Sequence, residues 1–269
     1  MKKRRDRDVI ERRLLYGVNP VLEALRADRA PSDITIAEGV RDQRLRELIE
    51  LARANNVSVK RVPRAKLDRE LGNTHHQGVI AHVAQPAYAD ADDLIESISS
   101  DRKRDTEALF LVLDGIEDPR NLGAILRTAE CAGVDGVFIP ERRAAGLNET
   151  VAKASVGAVE HLRIARVTNL TVLIEQLKER NLWVVGAAGD APIDYVDWDW
   201  TRPSALVLGA EGSGLHRLVR EHCDALVRIP VRGKMESLNV SVAAGIILYE
   251  VLRQRARRRR KMKNETSVA

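Results

Sequence analysis

Aromatic residues are scarce in this 269-residue chain: three Trp, four Tyr and two Phe, or 3%. That scarcity argues against a sheet face paved with rings on which single-stranded bases stack. Cysteine is scarcer still. Cys131 and Cys223 stand far apart with no CxxC spacing, which argues against a disulfide framework and a structural zinc site and suits a reducing cytoplasm. No segment approaches the roughly 20 consecutive apolar residues of a membrane span. The amino end, MKKRRDRDVIERR, is basic but lacks the apolar run of a signal peptide, so the protein is expected to be neither exported nor inserted, with a cytoplasmic location. The dinucleotide fingerprint GxGxxG is also absent.

What is present is ordinary for a globular protein, with 44% apolar and 31% charged residues. The length allows two domains. The formal charge of +5 conceals an uneven distribution. Residues 1–13 hold seven Lys/Arg against three acids, and residues 253–263 hold eight against none, which leaves −7 for the rest of the chain. Basic ends on an acidic body suit a polyanion, because Lys and Arg displace counterions from a phosphate backbone. Solvated tails without a partner are an equally simple reading of the same residues.

Two α/β modules follow in order. In residues 14–84, Asn19 and Pro20 suit a helix N-cap and first helical residue, ITIAEG and VSVKRVP alternate as strands, and RDQRLRELIELARANN carries an apolar helix face between them. His75, His76 and His82 lack a carboxylate or Cys at ligand spacing and read as surface or RNA-facing side chains, with HHQG a turn. Residues 85–106 turn polar around one short amphipathic helix and read as a linker. From 107 to 256, near-continuous apolar strands alternate with helices, including ETVAKASVGAVEHL, the pattern of a mostly parallel sheet covered on both faces. A basic tail, 257–269, closes the chain.

Three polar loops in the second module run from a strand into a helix, where parallel sheets bind ligands. In DGIEDPRN, Asn121 lies near a helix start, with Arg127 two turns on amid apolar residues. In GAEGSG, Gly209, Gly212 and Gly214 permit close backbone approach, and Glu211 would repel a phosphate, so the ligand of this loop should lack one. In RGKMESLN, Ser237 or Asn239 could serve simply as a helix cap. Arg127 could equally snorkel to solvent. No one loop decides the matter.

The stretches NLGAILRTAECAG, LVLGAEGSGL and IPVRGKMESLNVSVAAGIILYE together resemble, in order and spacing, the three motifs of the SpoU-type RNA ribose 2′-O-methyltransferases of the SPOUT superfamily. The resemblance implies an α/β-knot: a mostly parallel sheet whose carboxyl part threads a deep trefoil knot, an exception to the rule against threading. It implies that S-adenosylmethionine binds there, held around Leu208, Gly209, Gly214, Ile229, Val231, Ser237 and Leu238. It implies a catalytic group of Asn121, Arg127, Glu211, Ser237 and Asn239, no metal, and a homodimer with the site near the subunit interface. GVNPVLEAL and LDRELGNTHHQGVIA resemble the ribosomal-protein-like RNA-binding module of the subgroup that modifies a guanosine in 23S rRNA. His75, where Asn is more usual, and the long Arg tail depart from that pattern and blur the choice of RNA. A tRNA ribose methyltransferase and a non-catalytic RNA-binding or ribosome-assembly factor are the competing readings.

Overall fold

The computed structural model describes residues 12–26, 30–40, 44–71, 76–84, 88–100, 107–235 and 237–266. The chain divides into two compact units, residues 1–87 with 156–160, and residues 88–155 with 161–269. His75 and most of the basic amino arm lie outside the described residues.

The amino unit is a four-stranded sheet of order β1-β4-β2-β3, built from β1 (Arg12–Tyr16), α1 (Val18–Arg26), β2 (Asp33–Ala37), α2 (Arg44–Ala54), β3 (Ser58–Val62), α3 (Arg64–Leu71) and β4 (Val79–Ala84). β2 and β3 run parallel, while β4 is antiparallel to both β1 and β2. The sequence reading missed β1, whose first two residues belong to the basic arm. Helix α1 starts at Val18, so Asn19 and Pro20 sit inside its first turn rather than at its cap. Gln77 Oε1 accepts the Val18 N–H at 3.2 Å. His76 is also not a surface residue. It is 3% exposed, with Nε2 2.8 Å from Asp68 Oδ1 and Nδ1 accepting the Gly78 N–H at 2.9 Å. His82 pairs separately, Nδ1 to Asp33 Oδ1 at 2.9 Å. Each imidazole thus has its own carboxylate, and among the described residues no cluster of His, Cys, Asp and Glu could hold a metal.

The carboxyl unit contains α4 (Ala91–Ser100), β5 (Leu109–Asp114), α5 (Pro119–Cys131), β6 (Gly136–Pro140), α6 (Glu149–Ala154), β7 (Ile164–Val167), α7 (Leu170–Glu179), β8 (Trp183–Ala187), β9 (Ile193–Asp194), β10 (Ser204–Gly209), α8 (Arg217–His222), β11 (Ala225–Arg228) and α9 (Val240–Thr266). Its seven strands, in order β7-β6-β5-β10-β8-β11-β9, pair parallel throughout. β5 is buried along its whole length and β10 nearly so, which explains their unbroken apolar sequences. The amphipathic helix α4 buries Leu94 and Ile95 in this unit's core beside Phe110 and Phe138.

Two features differ from the sequence expectation. The helix expected over ETVAKASVGAVEHL ends at Ala154, because Val156 (φ 53°) and Gly157 (φ 90°) enter left-handed backbone. The basic tail is not a loose arm either: α9 runs without interruption to Thr266. Arg255 anchors its middle. It donates from Nε to Trp200 O at 3.0 Å, and from Nη2 to Ala108 O at 3.1 Å and Arg202 O at 3.0 Å. Burial pulls its guanidinium below the ordinary arginine range. Beyond it, Arg257, Arg258, Arg259, Arg260, Lys261 and Lys263 are exposed. Among the described residues no helix is long and apolar enough to cross a membrane.

Candidate functional site

The chain order reverses at β5: β6 and β7 extend the sheet on one side, and β10 lies on the other. The carboxyl ends of β5 and β10 therefore flank the crevice where α/β sheets bind ligands. From β5 the chain turns through Gly115 to Asp118, which caps α5 by accepting the Arg120 N–H at 2.8 Å, with Pro119 in the first helical position. This cap fixes Asn121 in the first turn. α5 can approach α6 closely because residue 123 is Gly; a Cβ there would meet Ala154 Cβ at 2.4 Å and Val151 O at 2.9 Å.

The turn after β10 is closed by a reciprocal pair, Ala210 N–H to Gly214 O at 3.0 Å and Gly214 N–H to Ala210 O at 2.9 Å. Gly209 is required by the turn itself, since a Cβ would stand 2.2 Å from Gly214 C. That close approach is of backbone to backbone within the turn, not of backbone to ligand. Gly212 and Gly214 adopt φ of 86° and 66°, and the turn presents Glu211 outward.

β11 stops at Arg228, two residues before Pro230, and residues 229–235 and 237–239 are irregular ahead of α9. Asn239 ends it in two roles at once. Its Oδ1 caps α9 by accepting the Ser241 N–H at 2.9 Å and the Ser241 hydroxyl at 2.6 Å. Its Nδ2 donates to Asn121 Oδ1 at 3.0 Å and reaches Glu211 Oε1 at 3.5 Å, while Asn121 Nδ2 donates to Glu211 Oε2 at 2.9 Å. The cap and the candidate site are one residue. Three of the five expected catalytic residues, one from each loop, thus form a closed polar cluster.

The other two are not in it. Arg127 lies further along α5 with an exposed side chain, and Ser237 is exposed in the loop before α9. Of the residues expected around the cofactor, Leu208 is 1% exposed and offers only backbone to a ligand, Gly209 and Gly214 shape the turn, and Ile229 is half-buried. Val231 and Leu238 are 42% and 38% exposed.

Beside the polar cluster lies a cavity of about 410 Å³, lined among others by Gly115, Asn121, Arg143, Glu211 and His216. That volume falls in the range of small-ligand sites. Glu117, Asp118 and Glu211 give its wall more carboxylate than cation, Arg143 being the strong base there. A polyphosphate is disfavoured in such surroundings and a sulfonium is not. Exposed Val231 and Leu238 on the neighbouring loop suit an apolar ring system. The residues therefore fit S-adenosylmethionine. The sequence reading overlooked Arg143, His216 and Asp114. Asp114 carried a signal, as the charged last residue of an otherwise apolar strand; nothing in the sequence singled out His216.

Residues 108–249 match the model of the SpoU rRNA Methylase family, and residues 14–89 match that of the RNA 2′-O ribose methyltransferase substrate binding domain. A protein of Bacillus subtilis (strain 168), YacO, named for the TrmH family of tRNA/rRNA methyltransferases, is 47% identical over 241 residues, covering 90% of this chain and 95% of its own. A similarly named protein of Staphylococcus haemolyticus (strain JCSC1435) is 46% identical over 244 residues, 90% of this chain and 96% of its own. Among solved structures, the SpoU methyltransferase AviRb from Streptomyces viridochromogenes, in complex with AdoMet, superposes with a TM-score of 0.75 at 25% identity, covering 91% of each chain. An RNA 2′-O ribose methyltransferase does so with a TM-score of 0.75 at 30% identity, covering 94% of this chain and 93% of its own.

Proposed function

This chain belongs to the SpoU family of S-adenosylmethionine-dependent RNA methyltransferases, and from that premise we propose that it methylates the 2′-oxygen of a ribose, a guanosine in 23S rRNA. The observation that carries the reading is the cluster of Asn121, Glu211 and Asn239, which ties the turns after β5, β10 and β11 together beside one cavity. A match to a substrate-binding module over residues 14–89 supports a large structured RNA as the substrate.

The bound cofactor supplies an electrophilic methyl on a sulfonium. Ile229, Val231, Ser237 and Leu238, with the backbone of Leu208, Gly209 and Gly214, would hold it. The protein's own task is alignment of a ribose oxygen with that methyl, and exclusion of misaligned poses. Asn121 and Asn239 fix the Glu211 carboxylate, which accepts a hydrogen bond from the ribose or cofactor. Arg127 is a poor base, since a guanidinium stays charged and has no free lone pair with which to take a proton. Its exposed position suits it to grip a substrate phosphate and steady negative charge developing on the oxygen. Arg127→Lys with normal turnover and intact RNA binding would refute that bidentate role.

The amino module, read as 14–84, and the cationic end of α9, within the tail read as 257–269, supply further RNA contact in this account. The knotted threading and the homodimer also belong to it. Exposed Val242 and Tyr249 on α9 are the apolar surface a second copy would cover. Sedimentation equilibrium showing a monomer at working concentrations would remove the dimer. Mapping 2′-O-methyl groups on rRNA and tRNA from a deletion strain tests the substrate. Loss at one 23S rRNA guanosine is expected, and loss at a tRNA ribose alone would transfer the assignment.

A further inference from the structure

Displacement by a hydroxyl oxygen requires somewhere for its proton to go. Arg127 is a poor acceptor, and both Glu211 oxygens already face amide donors. A second group faces the same cavity. Asp114, the last residue of β5, is 3% exposed and commits both carboxylate oxygens to His216: Oδ2 accepts the His216 backbone N–H at 2.7 Å, and Oδ1 lies 2.8 Å from ring Nδ1. A carboxylate only accepts, so Nδ1 carries the hydrogen and Nε2 keeps its lone pair. His216 stands at the start of α8, yet its side chain makes no capping bond there. Its ring lies over Gly115, where an added Cβ would stand 3.4 Å from Cε1. Its side chain, 49% exposed, lines the cavity together with Asn121 and Glu211.

We propose that His216, oriented by Asp114, accepts the ribose 2′-hydroxyl proton during methyl transfer, an assignment that rests on the methyltransferase reading above. In the step, the 2′ O–H bond breaks and its proton passes to Nε2. The oxygen electron pair forms the bond to the methyl carbon, and the carbon–sulfur bond breaks with its pair returning to sulfur, leaving a neutral thioether. The resulting imidazolium is paired with Asp114 until it releases the proton to water. The charged groups near the ring are Asp114 beneath it, Glu117 and Asp118 from the turn after β5, Glu211 from the turn after β10, and the cations Arg143 and its neighbour Arg217. An unperturbed imidazole exchanges its proton nearer neutrality than an unperturbed carboxylate, which suits it to serve as a general base.

Single-turnover methyl transfer by His216→Gln, with RNA binding measured by filter retention, tests the assignment. Gln keeps the backbone bond to Asp114 and an acceptor, but cannot take a proton. The rate is expected to fall on the order of 10²–10⁴-fold, the loss of activity toward acid pH that the assignment predicts for wild type should be absent from the variant, and RNA binding should hold. Added imidazole should restore part of the activity of His216→Gly. In wild-type protein bound to RNA and S-adenosylhomocysteine, ring ¹⁵N shifts should show hydrogen on Nδ1 and a lone pair on Nε2. Wild-type rate and pH profile in His216→Gln would overturn the assignment. So would a protonated Nε2 at working pH, or a slow His216→Gly that imidazole does not rescue. A wild-type enzyme that methylates no ribose would instead overturn the parent reading.

Discussion

Replacing Asn239 by Asp changes one amide group to oxygen at the centre of the cluster while leaving the α9 cap in place, because Asp caps as well as Asn. The oxygen that accepts from the Ser241 N–H and hydroxyl is retained. What disappears is the donor that binds Asn121 Oδ1 at 3.0 Å and reaches Glu211 Oε1 at 3.5 Å. In its place a second carboxylate faces Glu211. Two unit charges at such a separation repel by about 5 kcal/mol at an effective dielectric of about 20, and by about 1 kcal/mol in bulk water. Both side chains are exposed, so the lower part of that range applies, and with the lost hydrogen bonds the penalty is about 2 kcal/mol. Single-turnover transfer should slow on the order of 10–100-fold, and the melting temperature should drop about 2–4 °C. One shared proton relieves the repulsion, so both deficits should shrink together as pH is lowered into the carboxylate range. A variant that transfers at the wild-type rate, or whose deficit is indifferent to pH, would refute the reasoning.

Other expectations follow from the same structure. Arg255→Met leaves four carbonyls, those of Glu107, Ala108, Trp200 and Arg202, without their cation. Because some of them rehydrate, the loss is about 3 kcal/mol, read by urea denaturation. Glutamine at Arg257, Arg259, Arg260 and Lys261 should lower the slope of log affinity for RNA against log salt by up to about 0.7–0.9 for every phosphate no longer neutralised, leaving the melting temperature unchanged. The Glu250 carboxylate is held below its ordinary range chiefly by hydrogen bonding to Arg253. Its contribution is therefore present above the unfolded carboxylate range and disappears as pH falls through the depressed folded value, and Glu250→Gln should flatten that acid-side fall in thermal stability. Burial pushes the Cys223 thiol up to about 12, whereas Cys131 is exposed. Maleimide should thus label one thiol per native chain and two after denaturation.

The parallel sheet was legible because β5 and β10 are buried on both faces and so read as uninterrupted apolar runs, a pattern few alternatives produce. The three loops were legible because each joins such a strand to a helix. What escaped depended on groups distant in sequence. Asn239 looked like a cap from its position, and its second role appears only when Asn121, 118 residues away, comes within hydrogen-bonding distance. His216 reads as an ordinary polar residue until Asp114 is placed beneath it. His76 looked like part of a surface turn because Asp68, its carboxylate partner, lies in the preceding helix with no motif linking them. The helical tail escaped because a run of arginines carries no apolar periodicity, and its order comes from Arg255 binding carbonyls of two other segments.

The central proposition is that the turns after β5, β10 and β11 form one centre acting on a ribose oxygen. Its most direct test is transfer of labelled methyl from S-adenosylmethionine to 23S rRNA fragments, followed by alkaline hydrolysis. A 2′-O-methyl group blocks cleavage at its own linkage, so the label is expected in a single alkali-resistant dinucleotide beginning with guanosine, and absent when Asn121 or Asn239 is replaced by Ala. Label recovered on a base, or retained at full yield by those variants, would contradict it.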